Sequence, residues 1–533
     1  MNEVRFRRLL FLVCCCSILS TSLPVFAAGE EANTESIGQA EIDSVALPDR
    51  DDSADAALNL TYNETPAENP PELRLRDPFI PSRIEEVSNE VLQKELELLE
   101  LSTRARIAST DKNRVKPWRT FLYNLGGSGV ATAGLITISS ERWRTWKQPA
   151  TANRDVLLAG PALLLISHSI IAGGIVLEAS LDLLNDRKLR KKGLDPKSTK
   201  QKAVLLYKEI DQKLAQRNQI ISSVDLSSYN SSTEKQAFEA ETKVLTDLRN
   251  AALSEYMQTY ARSKRRIAAR NISYLNGFSA ATTGGYLGSL CGILAVANRK
   301  PRTVGPGGIG FIVSGANIMT GPILARMAGN FSAKRSQNEM RRDFGEIPKS
   351  NVANSLGLLK QLNASGNQNL ATRLSIYETA GDLIDKQVQA NAVEKKKASK
   401  EFWERLLFNS AIGGTKIAWG IQLANAGFSY HPVPPAPRIT GPKTPLQALL
   451  DTSPKPNNPN QVFARRVAKG ATTYIPGTSL WIFDTLQART RGELDVYTMG
   501  QQFSLPHQKL DQRLKKLGEL ESRLHLTGSN SQK

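Results

Sequence analysis

Residues Val156 to Leu177 read VLLAGPALLLISHSIIAGGIVL. A bilayer core takes about 20 predominantly apolar residues in helical form. This stretch meets that requirement, interrupted only by His168 and a few small polar groups. β-branched alternation is nearly absent from it and from the rest of the chain, so the reading is all-α throughout.

The stretch is the trailing arm of the first of three apolar, Gly-rich regions, at 121–186, 272–330 and 406–487. Each has two apolar segments around a polar, Pro-containing connection, the pattern of a helical hairpin. The leading arms open alike, with Tyr123-Asn124-Leu125-Gly126, Tyr274-Leu275-Asn276-Gly277 and Phe408-Asn409-Ser410. The trailing arms share a centre that reads as a kink, at Ile171-Ala172-Gly173, Met319-Thr320-Gly321 and Ile475-Pro476-Gly477. Gly160-Pro161 and Gly305-Pro306 open the first two trailing arms. The expectation is a threefold internal repeat of hairpins and up to six membrane spans.

The segments between hairpins read as helices too. Phe238, Leu245, Leu248, Ala252 and Tyr256 form one stripe, and Leu370, Leu374, Tyr377, Gly381, Ile384 and Val388 form another. The division is a helical lead-in at 78–120, helical linkers at 187–271 and 331–405, and an amphipathic C-terminal helix at 488–533.

The six arms are unequal. Those at 272–297 and 309–328 are diluted by Gly, Ser, Thr and Asn, the arm at 406–428 carries Lys416, and the arm at 471–487 is short and holds Asp484. A lysine at the centre of a span costs about 2.5–3.5 kcal/mol on an insertion scale. Gly284, Gly288 and Gly292 fall four apart and predict a smooth helix-packing groove, which lets backbones approach where lipid supplies no hydrophobic drive. Glycine in a water-soluble helix costs about 1 kcal/mol against alanine, so three on one stripe ask for a packing reason.

Residues 1–28 have the parts of a secretory signal: Arg5, Arg7 and Arg8, an apolar run from Leu9, and the small-residue exit Val25-Phe26-Ala27. Its removal takes Cys14, Cys15 and Cys16 and leaves Cys291 alone, so no internal disulfide is expected. The whole chain has 533 residues, 69 Lys+Arg and 51 Asp+Glu, a formal charge of +18. The acidic leader at 29–77 reads as a disordered tail, and the body beyond it is strongly basic. An exported chain places its linkers outside the cytosol, in the cell envelope. Basic clusters flank both ends of the hairpins (Lys264-Arg265-Arg266 and Arg299-Lys300 among them), so the positive-inside bias is silent. These clusters suit anionic lipid headgroups. Aromatic residues interleaved for base stacking are missing, so nucleic acid is not an expected partner. The amphipathic linker helices are candidate surfaces for protein partners.

No catalytic constellation emerges. Gly305, Gly307 and Gly310 match a nucleotide-binding glycine pattern without the preceding strand or the following acid, and read as a turn. No metal set or cofactor motif is present, and no catalytic activity is expected. His168, Asn317 and Lys416 sit at comparable depths in the three hairpins and are the candidate intramembrane polar residues. The expected function is structural or scaffolding. The alternatives are a channel or carrier along a path through those three residues, or a secreted protein that inserts its hairpins into another membrane.

Overall fold

The computed structural model describes residues 79–110, 115–147, 153–223, 229–348, 350–362, 368–431, 459–501 and 505–530. The signal segment and the acidic leader lie outside them. All regular structure among the described residues is helical. The helices are α1 (Phe79–Ser109), α2 (Val115–Lys147), α3 (Arg154–Lys191), α4 (Pro196–Ser222) and α5 (Tyr229–Thr282). A π-helical segment, Thr283–Ser289, then leads into α6 (Leu290–Ala297). There follow α7 (Val304–Phe344), α8 (Val352–Leu362), α9 (Gln368–Phe428), α10 (Pro459–Gln501) and α11 (Pro506–Asn530).

Local chemistry sets several of these ends. Asn153 caps α3 by accepting from the Asp155 amide, and Asp195 caps α4, with Pro196 in the first position, where no amide is needed. Helix α3 closes on Gly193, whose φ of +64° suits glycine. Its amide reaches Arg190 O at 3.0 Å and the Leu194 amide reaches Leu189 O at 3.0 Å, a Schellman closure. The turn after α6 uses the same closure with Arg299 at φ +52°, a left-handed conformation that a side chain disfavours.

Two bodies are built on these helices. In the first, six helical columns close a ring: α2 packs on α3, α3 on the α5–α6 column, that column on α7, α7 on α9, α9 on α10, and α10 returns to α2. Among the described residues, four stretches, Val115–Glu141, Arg154–Ser222, Glu234–Ala297 and Pro301–Phe344, are long and apolar enough to cross a membrane. The outside of the ring is apolar, with Leu122, Ile166, Leu287 and Met327 exposed and Phe331 and Leu407 more than 70% so. Large apolar side chains exposed on a ring of apolar helices suit a membrane or partner surface.

The second body joins α1, α4, α8 and α11 to the first halves of α5 and α9 and the end of α7 around one apolar core, with Leu92, Leu96, Leu248, Tyr256, Met340 and Leu517 at its centre. Two buried ionic networks tie these helices. Arg217 (α4) donates to Glu241 (α5) at 2.6 Å and to Ser88 (α1) at 2.8 Å, while Arg373 and Tyr377 (α9) donate to the other Glu241 oxygen at 2.7 and 3.0 Å. Arg513 (α11) grips Glu255 (α5) in bidentate fashion at 2.6 and 2.7 Å, and Ser102 (α1) adds a third donor. Burial alone would lower the Arg373 guanidinium, and the Glu241 carboxylate raises it above its ordinary value. Glu95 differs: fully buried on α1, neither carboxyl oxygen has a hydrogen-bond partner. Burial pushes its carboxyl well above the usual range against a weaker pull from Arg249.

A polar belt ties the ring columns to one another. Lys116 pairs with Asp182 at 2.7 Å, Arg119 with Glu178 at 2.6 Å, and Arg270 with Asp186 at 2.6 Å. Arg489 stacks 3.9 Å above Trp118, and Arg326 stacks 4.2 Å above Phe402.

Candidate functional site

The middle of α3 carries the first site residue. Ser167 donates to Gly127 O at 2.6 Å, fixing the α2–α3 crossing and turning the next residue, His168, into the ring. His168 Nδ1 lies 2.7 Å from Leu164 O. A carbonyl can only accept, so Nδ1 carries the hydrogen and Nε2 presents its lone pair. That lone pair meets Lys416 Nζ of α9 at 3.1 Å. Lys416 is 2% exposed and His168 4%, so the pair is sealed within the ring.

Aromatic rings surround the lysine. Its Nζ lies 5.9 Å from the ring centres of both Phe311 (α7) and Tyr474 (α10). Trp419, one turn beyond Lys416 on α9, lies between these rings, 4.0 Å from Phe311 and stacked on Tyr474 at 5.3 Å. Side chains from α3, α7, α9 and α10 therefore converge on the ring interior and fill it.

The π-helical segment makes room for them. A side-chain carbon on Gly284 would stand 2.8 Å from Lys416 Nζ and 2.7 Å from Ser314 Oγ, and one on Gly288 would stand 2.6 Å from the Phe311 ring. Gly285 backs onto the His168 side chain in the same way. The glycines flagged at 284 and 288 thus lie against the lysine–phenylalanine side of the site. Gly292, beyond the π turn, faces Pro161 of α3 at 3.2 Å. Such π insertions in long helices recur at functional sites.

Of the three polar candidates, His168 and Lys416 meet and Asn317 stands apart. Asn317 Nδ2 donates to Ser279 Oγ at 3.0 Å and its backbone oxygen accepts from Asn276 Nδ2 at 2.6 Å, stitching α7 to α5. Glu178, the acid nearest His168 along α3, is engaged by Arg119 at the belt. Among the described residues, no group of three or more His, Cys, Asp or Glu is placed to hold a metal ion. The arrangement holds a lysine by one imidazole nitrogen and two ring faces, which suits a cation over π-systems.

Sequence reasoning missed a second glycine pattern. Gly413, Gly420 and Gly427 recur every seven residues on α9, facing Gly315, Gly308 and Gly305 on α7. A side-chain carbon on Gly420 would lie 2.6 Å from Gly308 O, and one on Gly315 would lie 2.7 Å from Gly413 O. The glycines at 305–310 therefore belong to the first turns of α7, not to a loop. The signal was present as a spacing of seven, visible once the two helices were known to run antiparallel against each other.

Comparison with protein-family models, with curated proteins and with solved structures gives no match.

Proposed function

We propose that the chain is an exported integral membrane protein of the cell envelope with a structural or scaffolding role and no catalytic activity. Its three Gly-rich hairpins are repeats of one unit, and all six arms span the membrane. In α9 and α10 the polar residues are carried by packing within the ring rather than by the arms' own hydropathy. The second body stands on the non-cytosolic side and offers its helices to protein partners.

The observation that carries this reading is the continuity of α5, α7 and α9. Each runs unbroken from the ring into the second body, and the ring interior is filled by Phe311, Trp419, Tyr474 and the Lys416–His168 pair. A rigid base under a helical platform suits holding better than transport.

One observation favours a channel or carrier: His168 and Lys416 do face each other inside the ring. Three measurements separate the readings. Extraction of host membranes with alkaline carbonate should leave the protein in the pellet, and release into the supernatant sinks both. A protein found soluble in the export compartment, before it reaches any membrane, would favour a secreted protein that inserts its hairpins elsewhere. In sealed vesicles, Lys416→Met and His168→Gln should leave ion permeability at the level of empty vesicles, as the unmodified chain does. A flux that the native chain supports and either variant alters replaces the scaffold with a conduit.

A further inference from the structure

Where α5, α7 and α9 leave the ring and enter the second body, they part around a cleft of about 890 Å3. Seven cationic side chains line it against two carboxylates, Glu394 and Glu401. Glu394 is already held by Arg106 at 3.3 Å and by Arg262. Arg265, Arg266, Arg326, Lys395 and Arg405 then face one remaining lining carboxylate, Glu401, with Asp484 of α10 near Arg405, so positive charge stays in excess and the cleft asks for an anion.

Its three walls change character in the same order. Down α5 the lining passes from Arg262 and Arg265 to Ser273 and Asn276, and then to Ala280. Down α9 it passes from Lys395 and Arg405 to Asn409 and then Ile412. Along α7, read in reverse because that helix is antiparallel, it passes from Arg326 to Pro322 and then Ile318. Trp481 of α10 closes the apolar end. On α5 and α9 charge gives way to neutral polarity and then to hydrocarbon, and on α7 charge gives way directly to hydrocarbon, which matches an amphiphile with an anionic head and not a small hydrophilic anion. The cations stand where the arms begin or end in sequence, the level at which headgroups lie. Arg326 stacks its face on Phe402 at 4.2 Å, a geometry that leaves in-plane N–H donors for phosphate oxygens.

We propose that this cleft binds one anionic phospholipid, its phosphate against Arg265, Arg326 and Arg405 and an acyl chain along Ile318, Ile412 and Trp481. The proposal rests on the membrane reading above and names the lipid class that the basic body recognises.

The test uses the full chain purified in neutral detergent, with native mass spectrometry to count retained phosphatidylglycerol or phosphatidylcholine. Phosphatidylglycerol should be retained and phosphatidylcholine lost. The triple variant Arg265→Gln, Arg326→Gln and Arg405→Gln should weaken phosphatidylglycerol by roughly 5-fold for each cation removed, on the order of 100-fold in all. The corresponding triple change to lysine keeps the charge and should stay within a few-fold of the native chain, and a native circular dichroism spectrum of the glutamine variant shows that its lost signal is not a folding failure. Changing Arg190, Lys191 and Lys192 to Gln, a basic cluster away from the cleft, should leave retention unchanged. Equal retention of both lipids, equal retention by the glutamine variant, or equal loss from the distant cluster overturns the proposal. So does displacement of the lipid by excess inorganic phosphate, which would make the cleft a site for a soluble anion. Carbonate extraction on the same preparation keeps the two ideas distinct. A chain that pellets yet ignores phosphatidylglycerol loses the cleft alone, and a chain that does not pellet loses both.

Discussion

Single residues carry the clearest tests. Glu95 is a buried carboxyl with no hydrogen-bond partner, and its burial raises its proton affinity above the ordinary range. The unfolded chain releases that proton near the usual value of about 4.3. Above that pH the folded state binds more protons than the unfolded state, so stability must fall as pH rises until the folded carboxyl itself ionises. Glu95→Leu removes both the unpaired group and this slope. It should add about 1–3 kcal/mol at pH 7, read as a higher thermal midpoint by circular dichroism in detergent, with a flatter dependence on pH. Parallel pH curves for the two proteins would exclude Glu95 as the source. Arg373→Met makes the opposite point: it strands Glu241 without its α9 partners' full complement and should cost about 3–5 kcal/mol. Arg299→Gly belongs to the same scale, because a left-handed residue with a side chain costs about 1–2 kcal/mol. That change should raise the midpoint by a few degrees. An unchanged or lower midpoint would mean that the strain is offset by other contacts at the turn.

At the scale of the element, glycine spacing decides which helices touch. Gly420 and Gly414 lie six residues apart on α9, yet a side-chain carbon would meet Gly308 O at 2.6 Å on the first and nothing within 4 Å on the second. Gly414→Ala should therefore gain up to about 1 kcal/mol of helix propensity. Gly420→Ala should lose about 1–3 kcal/mol by forcing the backbones apart. A gain from both would mean that α7 and α9 do not pack this closely. The helices themselves were legible: the stripes at Phe238–Tyr256 and Leu370–Val388 lie on α5 and α9, and Leu245 to Tyr256 and Leu370 to Ile384 enter the core, while Val388 stays exposed. The facing of α7 and α9 was not legible, since a stripe of glycines specifies close approach and leaves the partner open.

For the whole molecule, the turn between α6 and α7 lies at the end of the ring away from the second body, because α5 and α7 run antiparallel and both enter that body at their other ends. In sealed vesicles of defined orientation, single cysteines at Lys300 and at Arg523, in a chain with Cys291→Ser, should label from opposite sides with a membrane-impermeant reagent. Labelling from one side alone would dismantle the spanning reading of α7. The third hairpin is the interesting case at this scale. Its arms carry Lys416, Gln422, Asp484 and other polar residues and fall short of an independent span, yet both are columns of the closed ring.

The sequence by itself determined that the chain is helical and that it carries apolar stretches of membrane-spanning length, because periodicity and run length depend only on neighbours along the chain. It also marked His168, Asn317 and Lys416 as polar groups in apolar surroundings, since such groups stand out one residue at a time. Only the tertiary structure decided that His168 and Lys416 pair while Asn317 holds a different crossing, and that cations from α5, α7 and α9 gather at one cleft. Those outcomes depend on which helix faces which. The lysine and its histidine stand 248 residues apart, and no local pattern encodes their meeting.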